Sequence, residues 1–317
     1  MTIRVRRALP VLLAGSLFAS HALVSAAQPA PRLERSAMRA DDGHLLTVWS
    51  KHGTRTTRGA ILLLHGRTWS SLPNFDLHAG GRSASLMDAL AADGYAVYAL
   101  DQRGYGATPR DSSGWLTPAR AARDASEVLV WIAKREASAG REFSPPALFG
   151  YSRGSLTAAL VAQTYPDRMS ALILYGFPLK RAPFANAPSD STAPRRAPTS
   201  LADAGSDFIT PGTPAPEIKT AYQRSAVAAD AVRVDWKDEG EFAALNGNAI
   251  HVPVMLLNGE RDPNVINSRD AEFFAQLGGV DRAWVILANA DHVAHLERTA
   301  DFVHAIVGFL DKPAARK

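Results

Sequence analysis

Apolar positions recur along this chain in two rhythms. Short continuous runs such as Ala60-Ile61-Leu62-Leu63-Leu64, Tyr95-Ala96-Val97-Tyr98-Ala99-Leu100, Ala171-Leu172-Ile173-Leu174-Tyr175, Val252 to Leu257 and Ala283-Trp284-Val285-Ile286-Leu287 read as strands, and the first has the pattern of one covered on both faces of a parallel sheet. Between them lie helix-like segments. One runs from Ser85 to Ala92 and stops at Gly94; another has Thr117 placed to cap, Pro118 in the first turn, Ala121, Ala125, Val128, Leu129 and Ile132 along one face, and Gly140 beyond its end. A last helix over 295–310 carries Phe302, Val303, Ile306, Phe309 and Leu310 at helical spacing. Strand and helix alternate, which predicts a mostly parallel, doubly wound α/β sheet. Residues 28–40 are expected to form an extended, poorly ordered entry, residues 45–49 a first strand, and 74–81 a long loop. Across 177–250 the alternation breaks: prolines 178, 183, 188, 194 and 198 leave no strand, 216–230 looks helical, and the rhythm resumes at Val252. That stretch is an insertion.

Charge alters the picture only at the N-terminus. The chain of 317 residues carries a net charge of +4. Arg4, Arg6 and Arg7 supply three of those charges ahead of the apolar stretch from Ala8 to Ala19, and Ser25-Ala26-Ala27 offers small residues for cleavage. Residues 1–27 therefore have the layout of a signal peptide and predict an exported, periplasmic or secreted protein. A spanning helix needs about 20 apolar residues; this run is interrupted by Pro10 and soon reaches His21, so cleavage is expected rather than a stable membrane anchor. The remainder is nearly neutral at +1, which calls for neither nucleic acid nor an anionic surface. With no cysteine, the chemistry cannot rest on a thiol.

The chemistry-bearing stretch is Gly150-Tyr151-Ser152-Arg153-Gly154. An apolar strand precedes it, and Leu156 to Gln163 reads as a helix closed by Tyr165-Pro166. Strand, sharp turn and helix are the setting in which a serine hydroxyl is held exposed above a sheet, with glycines leaving room for close approach. A serine nucleophile needs a base held by a third group. Two later strand ends supply candidates: Asn258-Gly259-Glu260-Arg261-Asp262-Pro263, and Asn289-Ala290-Asp291-His292. His292 is the candidate base and Asp262 the candidate third member, with Glu260 and Asp291 as rivals. No metal site is visible, because His292-x-x-His295 lacks further ligands, and no cofactor is called for: Gly104-x-Gly106 lacks the third glycine of a dinucleotide fingerprint.

With the His65-Gly66 turn and Asp101-x-Arg103-Gly104-x-Gly106, these residues closely resemble the α/β-hydrolase superfamily, in the branch whose lid is inserted after the sixth strand. The resemblance covers roughly residues 41–312. It implies a hydrolase core over 28–176 and 251–317, a lid over 177–250, and a triad of Ser152, His292 and Asp262. It also implies an oxyanion hole made by the backbone N–H groups of Arg153 and Arg67, with Thr68 as the alternative to Arg67. The two arginine side chains could bind a substrate carboxylate or form structural ion pairs. Trp69, Tyr151 and Phe177, with Phe75 and Trp236, are candidates for an apolar substrate pocket or for ordinary core. His295 and His304 read as helix-face histidines.

Relatives of this fold that attack with an aspartate, the haloalkane dehalogenases and epoxide hydrolases, do not fit Ser152; carbon–carbon hydrolases and cofactor-free oxidative enzymes fit the serine but not export. The expected activity is cleavage of small to medium carboxylic esters through an acyl-enzyme. Two alternatives stay open: a lidded aminopeptidase or amidase, in which Glu239 and Glu241 would hold the substrate amine, and a non-catalytic binder of a small ligand.

Overall fold

The computed structural model describes residues 31–56, 58–79, 81–141, 145–179 and 193–311. The expected signal peptide, and Lys180 and Arg181 of the insertion, lie outside them. Eight strands form one sheet: β1 Glu34–Arg39, β2 Leu45–His52, β3 Gly59–Leu64, β4 Tyr95–Asp101, β5 Ala147–Tyr151, β6 Leu172–Tyr175, β7 Val254–Gly259 and β8 Arg282–Leu287. Their spatial order is β1-β2-β4-β3-β5-β6-β7-β8. β2 runs antiparallel to both of its neighbours, and from β4 to β8 every pairing is parallel. The apolar runs are explained by two cores, one on each face. Leu62, Leu64, Leu148, Leu172, Leu174 and Leu256 point to one, while Ile61, Leu63, Phe149, Ile173, Met255 and Leu257 point to the other, as period-two alternation requires.

Helices α2 Pro118–Ser138, α3 Arg153–Thr164 and α5 Asn267–Gln276 cover the first face, and α1 Leu86–Ala92 and α6 Thr299–Leu310 the second. Their boundaries follow local chemistry. Ser85 accepts a hydrogen bond from Asp88 N–H to cap α1, Thr117 one from Arg120 N–H to cap α2, and Gly140 follows α2 at φ +74°. Among the described residues no helix is long and apolar enough to cross a membrane.

Three expectations need correction. Residues 34–39 are extended as expected but not poorly ordered: they form edge strand β1, paired with β2 along six residues; only Met38 of it is buried, so alternation is almost invisible in its sequence. The stretch after Trp69 is not one loop but a short helix, Ser71–Phe75, and a two-stranded ribbon, Leu77–Ala79 with Arg82–Ala84. The final helix is broken at Arg298, whose φ of −132° separates Ala294–Glu297 from α6. The insertion leaves after β6 and returns at β7. Its described part contains α4 Pro216–Ala229, and its apolar residues Phe208, Ile218, Tyr222 and Ala226 bury against Trp69, Leu77, Val293 and Leu296. The insertion is thus seated on the same loops that carry the candidate chemistry.

Candidate active site

β3 is flanked by β4 on one side and β5 on the other, so the chain reverses its winding there, and the carboxyl ends of β3, β5, β7 and β8 surround a crevice of the kind in which open α/β sheets bind ligands. Ser152 follows β5 directly, at φ 54° and ψ −123°. A non-glycine residue holds that backbone only under constraint from its surroundings. The constraint is visible: Ser152 N–H donates to Tyr175 O at 2.8 Å, and Ser155 N–H donates to Ser152 O at 2.9 Å. A Cβ on Gly154 would lie 2.4 Å from His65 O, and one on Gly150 would lie 2.3 Å from Gly154 O. The two glycines permit strand, turn and helix to touch through backbone.

An expected consequence concerns stability. Gly154→Ala should cost about 3 kcal/mol or more, because the clash is with rigid backbone that no side-chain rotation relieves. Gly308→Ala, whose added Cβ meets nothing within 4 Å on α6, should instead stabilise by about 1 kcal/mol. Urea denaturation midpoints of the two variants should therefore move in opposite directions.

His292 Nδ1–H donates to Asp262 Oδ2 at 2.8 Å, with both side chains buried. A carboxylate can only accept, so Nδ1 carries the proton and Nε2 is left as the basic nitrogen. Burial by itself would lower the His292 pKa, but the hydrogen bond and charge of Asp262, with the charges of Asp207 and Asp291, raise it above its ordinary value. Asp262 is held in turn by Asn264 N–H on Oδ1. The rivals for its place do other work: Glu260 accepts Asn289 N–H, and Asp291 accepts Ile209 N–H and Thr210 N–H on one oxygen and Val293 N–H on the other. Behind the pair, buried Asp270 bonds Asn258, and burial together with the charge of Asp262 pushes its pKa up to about 7.

The loop after β3 is fixed from several sides. His65 Nε2 accepts Gln102 N–H while its Nδ1–H donates to Gly66 O, and burial pushes its pKa down to about 4, so the ring is a neutral brace. Tyr105 donates to Arg67 O, Asp230 of the insertion accepts Ser70 N–H, and Asp101 accepts Ser71 N–H. Asn74 Nδ2 donates to Trp69 O and Ser70 O, and its Oδ1 accepts Tyr222 O–H from α4. Arg153 heads α3, so its backbone N–H belongs to the unpaired set at that helix N-terminus.

A cavity of about 440 Å³ brings these parts together: Ser152, His292, Arg67, Thr68, Arg153, Trp69 and Tyr151 all line it. Asp262 stands behind His292. Phe177 departs from expectation. It is fully buried in the core with its ring 4.9 Å from that of Phe273, because Gly176 at φ +57° turns the chain back beneath the His292–Asp262 pair. Phe75 is core as well, and Trp236 packs beside Arg153. His295 lies on the short helix Ala294–Glu297, with its face buried among Tyr151, Tyr175 and Phe302, and burial, aided by the His292 charge, pushes its pKa down to about 3.

Neither glutamate expected to meet an amine is free for one. Glu239 pairs with Arg153 and, at 3.3 Å, with Arg67, and Glu241 accepts Ala119 N–H at the start of α2. The residue missed is Asp207. It lines the cavity, and burial raises its pKa; it lies in a part of the insertion with no periodic signal that could have singled it out. Among the described residues, Asp76, His78 and Asp88 are grouped closely enough to hold a metal ion, but Lys51 Nζ lies 2.5 Å from both aspartates and meets their charge.

A family model for serine aminopeptidase, S33, matches residues 55–299. No curated protein sequence matches significantly. Among solved structures, a hydrolase from Pseudomonas aeruginosa PA01 aligns over 88% of this chain and 98% of its own, at 18% identity and a TM-score of 0.64. An esterase of M. tuberculosis aligns over 90% and 93%, at 18% identity and 0.58. The thioesterase domain from the curacin biosynthetic pathway aligns over 88% and 99%, at 18% identity and 0.60. At these identities the likeness is one of fold.

Proposed function

Because the chain belongs to the serine aminopeptidase S33 family within the α/β-hydrolase superfamily, and is a serine hydrolase of that fold, we propose that it cleaves carboxylic esters of small to medium size through an acyl-enzyme. The observation that carries the reading is the buried His292–Asp262 hydrogen bond opening on the same cavity as Ser152 in its strained turn. His292 Nε2 takes the Ser152 proton as Oγ attacks the ester carbonyl, and the imidazolium then protonates the departing alkoxide. The negative charge that develops on the carbonyl oxygen is met by N–H of Arg153 at the α3 N-terminus and N–H of Arg67 or Thr68. Water, deprotonated by His292, releases the acid. In this reading residues 177–250 are a lid over the cavity, and the leader sends the enzyme out of the cytoplasm.

The test is a series of p-nitrophenyl esters from acetate to palmitate. Turnover should peak between butyrate and octanoate and fall steeply at palmitate, since the cavity is at the small end of the range for ligand sites. No turnover of any ester by folded protein would overturn the proposal. Asp207 favours a second reading, an aminopeptidase in keeping with the family name, because its carboxylate could receive a substrate ammonium. Faster cleavage of prolyl or alanyl p-nitroanilide than of every ester would select it.

A further inference from the structure

Groups of unlike charge line the cavity. Asp207 interacts electrostatically with His292, Asp291, Asp262 and Arg233. Arg67 and Arg153 form a second charged wall, their guanidinium groups converging on one oxygen, Glu239 Oε1. Arg153 is clamped: its guanidinium carbon lies 5.4 Å from the Trp236 ring centre and 5.6 Å from that of Phe242, and only 12% of its side chain is exposed. Arg67 is half exposed. Each guanidinium has five N–H donors in a fork suited to a carboxylate, and one glutamate oxygen uses a small part of that capacity. The wall is therefore short of negative charge. Burial, then the positive charge of Arg67, push the Arg153 pKa down to about 10 even with Glu239 alongside.

We propose that this wall is an anion subsite, and that the preferred substrate is an ester carrying a free carboxylate, held by Arg67 and Arg153 in competition with Glu239. The inference rests on the esterase reading for its substrate class. Two cations sharing one anion leave a surplus positive charge in a partly desolvated pocket, where a charged hydrogen bond is worth more than in water. Arg153, and Arg67 or its neighbour Thr68, also supply the backbone N–H groups assigned to the oxyanion, so a carboxylate held by the two side chains lies within a short chain of the ester carbonyl. A structural latch between core and insertion would need only one arginine for Glu239.

The experiment compares monoethyl succinate, glutarate and adipate with their neutral terminal amides. For the best chain length, kcat/KM should favour the acid by roughly tenfold to a hundredfold. Arg67→Gln, at a half-exposed position that folding tolerates, should bring that ratio close to one, and Glu239→Gln should raise it. A ratio near one across the series, or a preference that survives Arg67→Gln and Arg153→Gln together, overturns the subsite. Calorimetric titration of Ser152→Ala with monoethyl glutarate separates this inference from the one beneath it. Binding that needs Arg67, in a protein whose wild type turns over no ester, keeps the subsite and removes the esterase. Turnover of neutral esters with no acid preference and no Arg67-dependent binding does the reverse.

Discussion

Replacing Ser152 by alanine is expected to lower ester turnover by at least about 10⁴-fold, because the attacking oxygen is removed and the remaining catalysis comes from the oxyanion donors and binding alone. The fold should stay intact. The turn is held by backbone bonds to Tyr175 O and from Ser155 N–H, neither of which uses the Ser152 side chain. Ser152→Gly sharpens the test, since glycine accepts φ 54° without the steric cost borne by serine or alanine. It should be as inactive as the alanine variant and more stable by about 1 kcal/mol. Wild-type turnover in either variant, followed with p-nitrophenyl butyrate beside thermal melts, would remove Ser152 from the chemistry.

Asp262→Asn should cost about 10³- to 10⁴-fold in kcat with little change in KM, for a reason distinct from charge loss. An asparagine at 262 can turn its amide N–H toward Nδ1, which places the imidazole proton on Nε2, the nitrogen that must accept from serine. The pH profile provides a second readout. Asp262 is the principal group raising the His292 pKa against burial, so its neutralisation lets the pKa fall. Activity requires neutral His292, and the acidic limb of kcat/KM should move to lower pH even as the plateau collapses. A limb that stays in place, or a plateau near wild type, would mean that another residue orients the ring. Asp291→Asn is the matched control: its carboxylate holds backbone N–H groups rather than the imidazole, so stability should change and the tautomer should not.

Much of this architecture was legible because a parallel sheet buried on both faces writes itself as apolar runs; β3, β4, β6 and β7 are each such a run, while β8 is apolar in sequence but stands at the sheet edge with no buried residue. The parts that were not legible lack that constraint. β1 is an edge strand whose burial rests on Met38, and its order comes from pairing with β2. The insertion's apolar residues are satisfied by Trp69 and Leu77 from a distant loop, so neither segment shows a complete pattern alone. At the site, Ser152, Asp262 and His292 were readable because each follows a strand at a recognisable turn. Phe177 misled because an aromatic residue just past a strand end carries no sign of its direction, and the turn at Gly176 decides it. Asp207 had no signal, because its place in the cavity wall depends on how the insertion packs against residues distant in sequence.

Asp291 joins these themes through the three backbone groups it holds. Its carboxylate is shared by Ile209 and Thr210 of the insertion and by Val293, next to His292. In hydrogen-exchange terms, residues 82 positions apart form a single opening unit. The three amides should be protected to a similar degree, lose protection together, and be released together by Asp291→Asn. The edge of the insertion at Ile209 and Thr210 is therefore expected to open together with the loop that carries His292.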